Sequence, residues 1–376
     1  MFRTILTLLV VLPFCACRST SHPPPGLSRC IWVDRWDWRT AADIERVLDD
    51  CKNTGFSTVM FQVRGNGTVA WPSQHEVWLE QFGFKDPGFD PLRVAVNGAH
   101  ARGLQLHAWL NLMPGWSGDK APSDTRQLWR ARRDWFLMDR DGRFQIQKAG
   151  KYLTLNPCLP EVRDYLIGLC REVATNYPVD GIHLDYVRFP DAQGDNLDEL
   201  GLDPLTLTVF STSTGRTSKE VAAARQWQVD CVTATVRGIR DALARVPGQR
   251  VLTAAVIADR ARALRDLRQD WGRWCEQGLV AAVVPMNYTA DDSLFSARVA
   301  DAVTASRGRV VMGVGSYQHR SPEQTTAQMD AALRAGAGGV AVFNYRTLFG
   351  KPEKDSKLDQ AALRRRLQEW LRLPRT

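Results

Sequence analysis

The segment Val179 to Pro190, VDGIHLDYVRFP, places ionisable side chains where a buried strand tolerates few of them. Side chains alternate across a strand. Ile182, Leu184 and Tyr186 therefore share one face, while Gly181, His183 and Asp185 share the other, with Arg188 just beyond. In a closed parallel barrel wrapped by helices, the first face packs outward and the second points to the axis. Asp185 then sits at the C-terminal mouth, the end on which such barrels build their sites. A carboxylate there suits a nucleophile or a group that stabilises a developing cation. By itself it is equally a turn cap or a partner for Arg188.

The same alternation, applied along the chain, collects a compatible set. Trp32, Asp34 and Trp36 share a face; so do Gln62 and Arg64, then His107, Trp109 and Asn111, then Thr253, Ala255 and Asp259. Later apolar runs end in Asn287 and Tyr288, in Tyr317, and in Asn344 and Tyr345. Each residue has an ordinary explanation when taken singly. His107 or His183 alone is a hydrogen-bonded core histidine, Trp32 or Trp109 is packing, and Arg64 or Arg188 neutralises a buried Asp34 or Asp185. Converging on one end of a barrel, they suit a sugar: aromatic rings cover its apolar faces, amides and arginines bind its hydroxyls, and two carboxyl groups flank the bond to be cut.

Eight apolar runs alternate with helical patterns, which is the signature of a parallel sheet with crossover helices. The runs are Cys30 to Trp36, Ser57 to Arg64, Leu104 to Asn111, the opening segment, Val251 to Ala258, Leu279 to Tyr288, Arg309 to Tyr317 and Gly339 to Tyr345. The count predicts a TIM (β/α)8 barrel over residues 29–372. An open doubly wound sheet is the competitor, but no GxGxxG turn follows the first run. Long excursions after the third and fourth strands, 112–160 and 191–218, exceed ordinary connections and point to function.

The 376 residues are 44% hydrophobic and 24% charged, with a formal net charge of +8, which describes a globular protein with a spread of basic charge. The one dense cluster, Arg364 to Arg366, shares a helix with an apolar stripe of Leu363, Leu367, Trp370 and Leu371. It reads as a solvated helix face and gives no reason to expect nucleic-acid binding. Residues 1–16 carry Arg3 and then an apolar run of signal-peptide length, too short for a permanent span. Phe14-Cys15-Ala16-Cys17 looks like a bacterial lipobox, so Cys17 is the expected lipidation site, with 17–28 a Pro/Ser-rich tether to a membrane. An ordinary cleaved secretory signal is the alternative. Arg18 is not the Asp associated with inner-membrane retention, which favours the periplasmic face of the outer membrane. Cys30, Cys51, Cys158, Cys170, Cys231 and Cys275 have no metal-ligand spacing; in an exported protein they could pair in any of about fifteen ways. No metal or nucleotide motif appears, and no cofactor is expected.

The stretches FQVRGNGTVAWPS, FDPLRVAVNGAHARGLQLHAWLNLMP, LNPCLPEVRDYL, VDGIHLDYVRFP and QDWGRWCEQGLVAAVVPMNYT, in this order, resemble the glycosyl hydrolase-like 10 family of bacterial envelope proteins. The resemblance implies a TIM barrel, export or lipid anchoring, and hydrolysis of peptidoglycan glycan, including strands stripped of stem peptides, in the company of cell-wall or cell-division proteins. GIHLDYVRFP is also similar to the fourth-strand motif of α-amylase-type barrels, which gives Asp185 the nucleophile or ion-stabilising role. Those barrels have an Arg where this chain has His183, and a Glu acid near the position of Asp259. Asp259 is therefore the first candidate for the proton donor and Asp34 the second. The expected substrate contacts are Arg64, His107, Trp109, Asn111, His183, Arg188, Asn287, Tyr288, Tyr317, Asn344 and Tyr345. A glycan-binding protein without a competent acid, or a hydrolase of an α-glucan-like polysaccharide, are the alternatives; a second carboxyl opposite Asp185 discriminates against the first.

Overall fold

In the computed structural model, which describes residues 23–24, 26–191, 199–351 and 358–373, eight parallel strands close into a barrel. They are β1 (Arg29–Val33), β2 (Thr58–Arg64), β3 (Gln105–Asn111), β4 (Gly181–Asp185), β5 (Val251–Ile257), β6 (Ala282–Asn287), β7 (Val311–Gly315) and β8 (Gly339–Phe343). Each pairs with the next, and β1 pairs with both β2 and β8, so no edge remains in the ring. The TIM barrel read from the sequence is the observed fold. Residues 1–16, read above as a signal peptide, and Cys17 lie outside the described residues.

The connections form helices where local chemistry starts and stops them. In α1 (Ala41–Thr54) Thr40 accepts the Asp43 N–H while the Asp43 carboxylate accepts the Thr40 N–H, and Gly55 ends the helix in a left-handed conformation. Asp90 caps α2 (Pro91–Ala101), and Pro160 opens α3 (Pro160–Asn176). The outer ring continues with α4 (Val221–Leu243), α5 (Arg260–Leu267), α6 (Trp271–Glu276), α7 (Asp292–Ser306), α8 (Pro322–Arg334) and α9 (Gln360–Arg372). In α9 the stripe of Leu363, Leu367, Trp370 and Leu371 is buried, as its spacing requires.

Strand parity divides the interior in two. Outward residues such as Ile31, Phe61, Leu106, Ile182 and Val314 pack with the helices, while Cys30, Trp32, Met60, Trp109, Val284 and Ala341 fill the lumen. The two long excursions carry structure of their own: an antiparallel ribbon of Pro114–Trp116 with Leu153–Thr154 after β3, and a helix over Pro204–Thr214 after β4. The six cysteines among the described residues are buried free thiols, with Cys158 and Cys231 close enough to hydrogen-bond.

Candidate active site

Asp185 ends β4 inside the barrel mouth with its side chain almost wholly buried. Its carboxylate accepts the Tyr186 N–H at 2.6 Å and the Arg188 guanidinium at 3.3 Å. The residue that follows has an unusual backbone: Tyr186 is left-handed, at φ 50°, a region that aromatic residues seldom enter. Such strain persists where the surroundings over-determine it, as they do here: Tyr186 packs edge-on to Tyr152, with centroids 5.0 Å apart, and lies under the Arg188 guanidinium at 4.3 Å. The alternation rule sends Tyr186 outward, but the strand stops at Asp185 and the turn brings the ring to the mouth instead.

Asp34 follows the end of β1 and accepts the Asn344 amide at 2.7 Å. Burial pushes its carboxyl above the ordinary value, against the pull of Arg346, Asn344 and Arg35. Burial likewise raises Asp185, opposed by Arg188 and the Tyr186 N–H, and the Asp34 charge raises it further. The two carboxyl groups thus lie within electrostatic reach of each other across the mouth. Asp37, in the 3-10 turn Arg35–Asp37, accepts the Asp34 N–H at 2.9 Å and faces Arg346 at 3.3 Å. Its carboxyl is raised to about 6, by burial first and by the Asp34 charge second.

Below the carboxyls, an aromatic floor holds their shape. Phe343 stacks on Tyr288 at 5.0 Å, and Trp32 and Tyr317 meet both rings edge-on. A Cβ on Gly315 would lie 2.7 Å from the Tyr288 Cβ, so β7 must be bare at this point. Trp32 donates its indole N–H to His183 Nε2 at 3.0 Å, and His183 Nδ1 faces Thr253 Oγ1 at 2.9 Å. Because an indole can only donate, His183 carries its proton on Nδ1 and gives it to Thr253. Burial holds His183 well below its usual range, so it is neutral. The Tyr288 hydroxyl, Asn111 Oδ1 and Trp109 Nε1 are buried polar atoms with no protein partner among the described residues.

The pattern that defines the glycosyl hydrolase-like 10 family matches residues 28–328. The chain belongs to that family. By its class of activity the protein is a glycoside hydrolase. Glycosyl hydrolase DigH of Escherichia coli (strain K12) is 26% identical over 390 residues, spanning 86% of this chain and 84% of its own. Glycosyl hydrolase YngK of Bacillus subtilis (strain 168) is 26% identical over 203 residues, spanning 49% of this chain and 37% of its own. Among solved structures, the PgaB (BpsB) glycoside hydrolase domain from Bordetella bronchiseptica superposes with a TM-score of 0.63 at 14% identity, covering 90% of this chain and 98% of that one. The GH20 exo β-N-acetylglucosaminidase from Vibrio harveyi gives 0.53 at 10% identity, covering 93% and 54%. At such identities the solved structures speak for the barrel alone.

Several residues expected at the mouth do other work. Arg64 should face the lumen by parity, yet the β2–β3 register jumps from Gln62 opposite Trp109 to Arg64 opposite the outward Leu110. Val63 is the extra residue of a bulge, which reverses the face. Arg64 is fully buried against Glu76, with Nε to Oε2 at 2.9 Å, and donates to main-chain carbonyls of Asn111, Leu112 and Pro114. It anchors the excursion after β3. Asn287 falls on the outward parity of β6 and donates to the Phe295 carbonyl of α7. Tyr345 bonds Asp50 at 2.7 Å on the helical side of the wall. Asp259 is spent as the N-cap of α5, accepting the Arg262 N–H at 2.9 Å. His107 lies deep in the lumen against Gly181, where a Cβ would collide with its ring, and burial holds it near neutral with a pKa of about 4. Asp185, Asp34, Trp109, Asn111, His183, Arg188, Tyr288, Tyr317 and Asn344 do come together.

Sequence reading passed over Asp37, Arg346, Tyr152 and Phe343. Phe343 was accessible to parity, since Gly339, Ala341 and Phe343 share the lumen face of β8. Asp37 lies in a 3-10 turn, Arg346 in the one-turn helix Tyr345–Phe349 and Tyr152 in a loop, all too short or irregular for a period to show.

Proposed function

We propose that the protein cleaves glycosidic bonds in the glycan strands of peptidoglycan, including strands stripped of stem peptides, with Asp34 as proton donor and Asp185 as the ionised partner. The observation that carries this reading is the pair of buried carboxyl groups at one barrel mouth, with the Asp34 charge adding to the cost of ionising Asp185. Two neighbouring carboxyls share a proton at neutral pH, and it goes to the one whose anion is less well supported. Asp185 has a guanidinium and a main-chain N–H hydrogen-bonded to it, whereas the hydrogen bond to Asp34 comes from a neutral amide, with Arg346 and Arg35 acting on it through space. Asp34 therefore keeps the proton and delivers it to the leaving oxygen. Asp185 stays anionic opposite the positive charge that develops on the sugar, as nucleophile or by directing water.

Neutral His183 and the rings of Trp32, Tyr288 and Phe343 keep this region dry and fixed, which strengthens every charge interaction in it. The lipobox-like leader supports anchoring through Cys17 to the periplasmic face of the outer membrane, where peptidoglycan is within reach and cell-wall or cell-division proteins are the expected neighbours. The relatives named glycosyl hydrolase support the reaction class, and the second carboxyl argues against a purely binding role.

The test is incubation of the protein, beside Asp185→Asn and Asp34→Asn, with intact and amidase-treated peptidoglycan, reading soluble products by mass spectrometry. Release by the wild type, with losses of about 100-fold or more in each variant, is expected of an acid and its partner. Normal turnover by either variant would remove that residue from the chemistry. Release from neither peptidoglycan would reject the substrate. Metabolic labelling with a fatty acid, lost in Cys17→Ala, checks the anchor.

A further inference from the structure

Two cavities open beside the carboxyl pair, and their positions around the ring differ by half a turn. One, of about 350 Å³, is lined by Tyr317, Phe343, Asn344, Arg346 and Lys351, from the ends of β7 and β8. The other, of about 260 Å³, is lined by Tyr152, Tyr186, Arg188, Lys151 and Gln145, from the excursion after β3 and the end of β4. In an eight-stranded ring the β3–β4 and β7–β8 positions are diametrically opposite. The catalytic pair proposed above connects them. Asn344 lines the first cavity and bonds Asp34, while Tyr186 and Arg188 line the second and bond Asp185.

We infer that a glycan strand crosses the whole barrel mouth, with sugars seated in both cavities and the scissile bond over Asp34 and Asp185, so that the enzyme cuts internal bonds. This rests on the hydrolase reading and adds the mode of attack to it. The two cavities are alike in chemistry: each offers at least two aromatic rings, two cations and a carboxamide, and the second adds the Asp191 carboxylate. Aromatic faces cover the apolar face of a pyranose and the polar groups take its hydroxyls and acyl oxygens, so both cavities suit the same repeating sugars. An enzyme that removes sugars from a chain end needs one side of its bond-cutting centre closed, and here both sides open onto a built cavity. Tyr317 is 43% exposed, with its face available to a ring passing over it.

The inference is tested on peptide-free peptidoglycan glycans of two, four, six and eight sugars. Binding is measured by calorimetry on Asp185→Asn, and early cleavage products of the wild type are sized by mass spectrometry. Affinity should rise at least tenfold between a chain that fills one cavity and one that spans both. Tyr317→Ala and Tyr152→Ala, each added to Asp185→Asn, should each remove that gain while leaving the short chain's affinity within about twofold on the unmutated side. The first products from long strands should be mixed oligosaccharides. Cleavage that yields only mono- or disaccharides from the outset, or affinity independent of length, overturns the crossing path while leaving the hydrolase reading standing. Neither binding nor cleavage at any length overturns both.

Discussion

Replacing Asp37 by Asn should stabilise the folded protein at high pH and do little at low pH. The Asp37 side chain is 4% exposed, and its carboxyl stands at about 6 where 3.8 is ordinary. At about 1.36 kcal/mol for each tenfold change in the proton equilibrium, that displacement corresponds to about 3 kcal/mol of disfavoured ionisation. The sign follows from which form the fold prefers. The folded state holds the proton more tightly than the unfolded chain, so the contribution is fully present below pH 3.8 and is lost as pH rises through 6. An Asn of the same shape never ionises, and its Oδ1 still accepts the Asp34 N–H. Removing the Asp37 charge also eases ionisation of Asp34, which acts in the same direction. Urea denaturation at pH 4 and pH 8 should therefore show wild type and variant nearly equal at the first and the variant ahead by about 2 to 3 kcal/mol at the second. A variant less stable than wild type at pH 8 would refute the reasoning, because it would mean that the Arg346 ion pair outweighs the burial of the charge.

Arg64→Ala should destabilise by about 3 to 5 kcal/mol, since it leaves Glu76 buried without its cation; thermal melting checks it, and Arg64→Ala with Glu76→Gln should recover part of the loss. Gly315→Ala should cost about 1 to 3 kcal/mol by pressing on Tyr288, and should lower turnover as well because that ring floors the carboxyl pair; an unchanged melting temperature would contradict the packing argument. Trp32→Phe removes the indole donor to His183 Nε2 and should cost about 1 to 3 kcal/mol, with a shifted His183 resonance visible by NMR.

The barrel was legible because its strands are buried on both faces and its helices on one, and those two periods survive in the residue order. Asp185 and Trp32 were legible for the same reason: each lies within a regular strand, so counting by two finds its face. The rule failed wherever the backbone left that period. A single extra residue at Val63 turned Arg64 from the lumen to the outer wall, and nothing local in TVMFQVR announces a bulge. Tyr186 failed in the opposite direction, brought to the mouth by a left-handed turn that no aromatic residue advertises. Asp259 matched a position known from similar barrels, but a carboxylate directly before a helix is also a good N-cap, and here the cap is what it is. The choice between those roles is made by what else occupies the mouth. Only the fold brings Asn344, just past β8, to Asp34, just past β1, residues 310 apart in the chain.

The arrangement also explains why one mouth can hold three buried carboxyl groups. Burying any one as an anion is costly, and a fold that only needed stability would do better with apolar residues there. The cost is distributed unequally: Asp185 receives a guanidinium and a main-chain N–H, Asp34 an amide, and Asp37 a half-exposed arginine shared with its neighbour. Unequal support is what separates two chemically identical side chains into a proton holder and an anion, because the group with the weaker donors takes the proton first. The crowded charges, which lower stability here, are therefore what assigns the roles.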